Sequence, residues 1–175
     1  MPKYLRLGDG QAELCDDRFT TVADDQGVPE GDVIVSLARF QAEGEALLAH
    51  GRCVGVRLSA DQSVEGLVYD LPRIAVIALE FPKFRDGRAY TQGRLLRERY
   101  GFKREVRAVG DVLREQAAFM LRCGFDAAEP ADGSTPDQWT AATRRFRHVY
   151  QRSADGRQPI YEERAHARSG GDGAV

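Results

Sequence analysis

The residues best suited to chemistry gather in one stretch, Glu80-Phe81-Pro82-Lys83-Phe84-Arg85-Asp86-Gly87-Arg88, and in Gly110-Asp111. Lys83, Arg85 and Arg88 bring positive charge, and the two phenylalanines bring flat apolar surface. Both stretches run into segments of helical pattern, whose first free N–H groups attract anions. Lys83, Arg85, Arg88, Gly110 and Asp111 therefore form a candidate anion-binding site. Arg88 sharpens the argument: a cation at a helix start opposes the positive end of the helix dipole, and an anion beside it would relieve the conflict. The same residues admit a structural reading. Asp86 and Asp111 can be ordinary helix caps, the cations a solvated rim, and Arg88 can be neutralised within the protein by Asp86, Glu80 or Asp111. Glu80, Asp86 and Arg107 are the expected structural support, and no residue identifies itself as catalytic.

Other chemistry finds little footing. His50 stands at a predicted helix end, where a structural or dipole role is the simpler one, and His148 and His166 lie in the last helix and the tail. Cys15, Cys53 and Cys123 are an odd number, far apart and without a CxxC pair, so neither a disulfide framework nor a metal site is expected. Cys53 and Cys123 read as small core residues. No GxGxxG, GxxxxGK[ST], GxSxG or HExxH occurs, and the segment after the first buried strand, SLARFQAEG, has one glycine. That disfavours a dinucleotide loop while leaving a serine-rich flavin loop compatible with the sequence.

The elements that must position these residues alternate along the chain. Residues 1–31 carry turn signals around two short runs, Tyr4 to Leu7 and Arg18 to Val22, and read as a hairpin-like lead-in. Apolar, β-branched runs then follow at 32–37, 53–58, 74–81, 105–110 and 125–129. Helical patterns fall between them at 39–49, 63–69, 89–100 and 111–123, two of them stopped by Gly101 and Gly124 with a phenylalanine behind. A helix over 136–150 precedes residues 152–175, whose low apolar content predicts a flexible tail. Strand-helix alternation implies parallel strands with right-handed crossovers.

The predicted fold is a single α/β domain over residues 1–151. It takes the form of an open three-layer sandwich with a mainly parallel sheet of about five strands, flavodoxin-like or Rossmann-like. Half of a β/α barrel is the alternative, set second because a closed barrel takes roughly 250 residues. Either way the candidate loops leave adjacent strands at their carboxyl ends, where open sheets bind ligands. Arg107 falls in a strand expected to be covered on both faces. A buried guanidinium needs a carboxylate, and Glu80 or Glu105 is the expected partner.

Composition bounds the partners. The 175 residues include 25 basic and 27 acidic ones, a formal net charge of −2, which gives no global electrostatic case for nucleic acid. No apolar run approaches the roughly 18 residues of a membrane span, and the N-terminus lacks a secretory apolar core, so a cytoplasmic protein without membrane contact is expected.

The stretch from Phe81 to Glu129, above all FRDGRAYTQGRLLRERYG, RAVGDVLREQ and RCGFD, resembles a bacterial domain-of-unknown-function family found beside sulfite reductase genes. Its members are described as oxidoreductases involved in sulfite reduction, and weaker likeness reaches back to Val33. The resemblance implies an accessory of assimilatory sulfite or sulfate reduction, which binds an anion or docks on the sulfite reductase or another sulfate-assimilation enzyme. The alternative it implies is an oxidoreductase or electron-transfer protein using a flavin or nicotinamide. The motif contains no cysteine pair, flavin fingerprint or iron-sulfur spacing that would name a cofactor.

Overall fold

A computed structural model describes residues 3–169. Its centre is one eight-stranded sheet. The strands β1 (Lys3–Gly8) and β2 (Gln11–Asp16) form an antiparallel hairpin. Asp9 and Gly10 make the turn at φ 50° and 72°, the left-handed conformation that matches the twist of hairpin strands. The sequence reading placed a hairpin here with its second arm at Arg18 to Val22. QAELCD escaped because it buries no residue and so shows no core-facing alternation.

Six strands follow: β3 (Phe19–Thr21), β4 (Asp32–Ser36), β5 (Val54–Leu58), β6 (Val76–Phe81), β7 (Glu105–Gly110) and β8 (Ala127–Ala128). They lie side by side in chain order, each parallel to the next, and β1 pairs antiparallel with β8. This corrects the expected open sandwich of about five strands in favour of the half-barrel. A doubly wound sheet covers both faces because its strand order reverses at a switch point. Here the order never reverses, so right-handed crossovers deliver every helix to the same face.

The core divides accordingly. Strand residues such as Val33, Val56, Ile77, Leu79 and Val106 meet the helices in the main cluster. Phe19, Ile34, Val76, Ala78 and Val109 form a smaller one on the opposite, concave face, to which no helix contributes a buried residue. Those concave residues are still at most 6% exposed, because the sheet curls over them. Its two edge strands, β2 and β3, are joined by Asp17 and Arg18 alone, which draws the edges toward one another.

On the outer face, α1 (Leu37–Ala49) begins where the Ser36 hydroxyl accepts the Arg39 N–H at 3.0 Å, and it buries Leu37, Phe40 and Leu47. α2 (Arg88–Arg94) widens into a π-helical turn at Leu95–Arg99. α3 (Ala117–Arg122) starts later than expected, after a 3₁₀ turn at Arg114–Gln116. As expected, Gly101 and Gly124 stop these segments at φ 63° and 88°. The Phe125 N–H closes α3 on Met120 O at 3.1 Å, whereas Phe102 reaches Leu96 O, one residue further back, because the π turn carries an extra residue.

α4 (Pro136–Thr143) is shorter than the expected 136–150 and opens on a Thr135/Gln138 capping box. Beyond it, Asp155 pairs with Arg122 at 3.1 Å, the Ser153 hydroxyl donates to Arg122 O at 2.6 Å, and Val149 bridges Pro159. α5 (Ile160–Ser169) follows. The segment read as a tail from Arg152 thus contains a helix and is tied to the end of α3, and residues 170–175 lie outside the described residues.

Candidate functional site

Pairing of β6 with β7 sets Phe81 opposite Gly110, so the two candidate loops leave the carboxyl edge side by side. The Asp111 N–H donates to Phe81 O at 2.7 Å. Only glycine fits just before it: φ at Gly110 is 93°, and a Cβ there would stand 2.5 Å from the Phe81 carbonyl oxygen. The Asp111 carboxylate accepts the Phe84 N–H at 2.8 Å, so it caps the neighbouring loop rather than a helix. Gln116 donates to Phe84 O at 3.3 Å, and the Asp86 N–H to Lys83 O at 2.9 Å. The tip of the loop is held from both sides.

Arg88 finds its counter-charge inside the protein. Its Nη2 donates to Asp86 at 2.6 Å and its Nε at 3.0 Å, while the same carboxylate accepts the Arg88 backbone N–H at 3.2 Å. These bonds lower the Asp86 carboxyl to about 2. The place beside Arg88 that the sequence reading gave to an anion is held by Asp86. Lys83 and Arg85 are different: both are exposed, and neither has an ion pair among the described residues.

Between these two cations Phe84 is 44% exposed. Phe119 on α3, 54% exposed, meets the edge of Tyr90 at 4.7 Å, and Gln116 one helical turn before it holds the Phe84 carbonyl. The Tyr90–Phe119 aromatic pair therefore lies beside the turn whose Gln116 holds the cation-bearing loop. Sequence reasoning missed Phe119 and Gln116. The available signal was that Phe119 lies off the Leu113/Ala117/Met120 stripe, where a large apolar side chain has no core to enter.

Every residue of this site falls within 55–161, the span that matches the model of a family described as bacterial protein of unknown function (DUF934). That span is more than half of the chain. The chain belongs to the DUF934 family. No curated protein and no solved structure matches it.

On the concave face this DUF934 protein carries ion pairs around Arg107 and Arg57. Arg107 is buried, and its guanidinium binds Asp17, Glu105 at 2.7 Å and Glu129 at 3.1 Å, lying 4.2 Å over the Tyr4 ring. Of the two partners expected from sequence, Glu105 is present. Glu80 is not, because Arg107 is in register with Ala78, and Glu80, two residues further along β6, pairs sideways with Arg57 on β5 at 2.9 Å. Burial works against the Arg107 charge, and the bonds to Asp17 and Glu105 outweigh it, raising its pKa. Glu105 is itself raised, by burial first, against the pull of Arg107. Asp17 and Glu129 escaped the sequence reading, since nothing local ties them to a residue so distant along the chain.

No group of three or more His, Cys, Asp or Glu among the described residues is arranged to hold a metal. The Cys123 thiol, pushed up to about 11 by burial, stays protonated at neutral pH and behaves as a core residue. No helix among the described residues is long and apolar enough to cross a membrane.

Proposed function

We propose that the chain is a non-catalytic accessory of assimilatory sulfite or sulfate reduction that docks on an acidic surface of the sulfite reductase or another enzyme of that pathway. The observation that carries the docking is Lys83-Phe84-Arg85: an exposed aromatic between two cations that have no ion pair among the described residues, on a loop fixed by Asp111 and Gln116. A surface already ordered loses little entropy on association. Exposed aromatics and cations are the residue types that anchor interfaces and steer charged partners. With Arg88 already neutralised by Asp86, the free charge faces outward, which suits the carboxylates of a partner better than an enclosed small anion. The pathway rests on the resemblance of FRDGRAYTQGRLLRERYG, RAVGDVLREQ and RCGFD to proteins encoded beside sulfite reductase.

The test is growth of a deletion strain supplied with sulfite or with cysteine. Wild-type protein is expected to restore growth on sulfite, while a Lys83→Glu/Arg85→Glu variant that accumulates normally does not. Both strains should grow equally on cysteine. Full growth of the variant on sulfite would remove the loop from the function.

A further inference from the structure

A separate cavity of about 600 Å³ opens on the helix-covered side, between the β1–β2 turn, α3 and the segment after α4. We propose that it binds a small organic anion, a carboxylate or phosphate monoester carried on an apolar or aromatic body. Leu7, Ala118, Leu121, Phe125 and Ala154 supply an apolar wall, and the volume falls within the roughly 300–1,000 Å³ of sites that enclose small ligands.

The charges around the cavity sort into spent and unspent ones. Arg97 is consumed by Asp126 and by the carbonyls of Gly124, Phe102 and Arg104, and Arg122 by Asp155 and Gln151 O. Those pairs build the wall. Among the described residues, the Arg144 guanidinium commits only its Nε, to Gly10 O at 3.0 Å, and that of Arg157 only one terminal nitrogen, to Phe146 O and Arg147 O. A guanidinium carries five N–H groups in a planar fork, so both arginines keep donors in the geometry that carboxylate and phosphate oxygens accept. Two cations with spare donors beside an apolar wall recognise an amphipathic anion. Of the three carboxylates on the lining, Asp126 and Asp155 are paired, and Asp9 is the one without a hydrogen bond or ion pair among the described residues.

Titration with 8-anilinonaphthalene-1-sulfonate, an aromatic anion that fluoresces in apolar surroundings, tests the site on the full chain. Saturable binding of one probe per chain is expected, displaced by phenyl phosphate or benzoate according to which headgroup the site prefers. Arg144→Ala/Arg157→Ala should weaken it at least about ten-fold, in line with the loss of a charge-assisted bond. Ala118→Trp, which fills the cavity and leaves Arg144 and Arg157 in place, should abolish it, and Lys83→Glu/Arg85→Glu should leave it unchanged. Thermal melts confirm that each variant is folded. Equal affinity in the arginine variant, persistence in Ala118→Trp, loss in the loop variant, or no binding by the wild type would each overturn the proposal.

Discussion

Arg107→Met is expected to destabilise the protein by about 3–5 kcal/mol, the cost of removing one member of a buried ion cluster. Methionine replaces most of the volume and keeps contact with the Tyr4 ring, so the loss reports charge rather than a void. What remains is Asp17, 7% exposed, and a partly buried Glu105, with no cation to offset their desolvation. Glu129, half out in solvent, can rehydrate and adds little. For a chain of this size the melting temperature should fall by roughly 6–20 °C. The pH dependence has a definite sign. Burial already raises the Glu105 carboxyl against the pull of Arg107, and without that pull it rises further above its unfolded value. Stability is then fully present below the unfolded value and is lost as pH rises through the folded one. The deficit against wild type should therefore narrow on acidification from about pH 7 towards about pH 5. A melting temperature within about 2 °C of wild type at neutral pH would show that the cluster contributes little.

Gly110→Val should be nearly as damaging, about 3 kcal/mol or more, because two faults coincide. A β-branched residue is strained at a φ of 93°, and its Cβ would press on the Phe81 carbonyl, which is backbone and cannot rotate away. Since that carbonyl accepts the Asp111 N–H, and Asp111 in turn holds Phe84, the displacement passes directly into the candidate loop. Gly101→Ala separates the two faults: φ is 63°, yet nothing lies within 4 Å of the added Cβ, so conformational strain of about 1–2 kcal/mol is all that is expected. Denaturant unfolding of both variants checks the difference. Equal losses would mean that the contact with Phe81 costs nothing.

Periodicity made the strand-helix series legible, along with the glycine stops and the adjacency of the two candidate loops, because each depends on residues near one another in sequence. It could not show the half-barrel. Strand order is a global property, and the clue that argued against a barrel was chain length. The chain economises by making the β5–β6 crossover with a single 3₁₀ turn, Val64–Leu67, and by shortening α3 to six residues. Concave-face chemistry was half legible. A lone arginine inside EVRAVG signalled a buried pair, and the same reasoning applied to Arg57 in CVGVRL would have found its bond to Glu80. Asp17 sits in a two-residue link between the sheet's edge strands, and no local pattern reveals that Arg107 reaches it. The neutralisation of Arg88 by Asp86 was legible as one of three alternatives and needed coordinates to decide among them.

The most direct test of the docking account is the affinity of the purified 175-residue chain for the sulfite reductase of the same host, measured by biolayer interferometry at low and high salt. The account predicts saturable binding that weakens as salt rises, since exposed charges are screened. It also predicts that Lys83→Glu/Arg85→Glu lowers affinity at least about ten-fold, and that Phe84→Ala lowers it with its salt dependence kept. Binding by the wild type that neither the charge reversal nor Phe84→Ala changes, or no binding to that enzyme at either salt concentration, would contradict it.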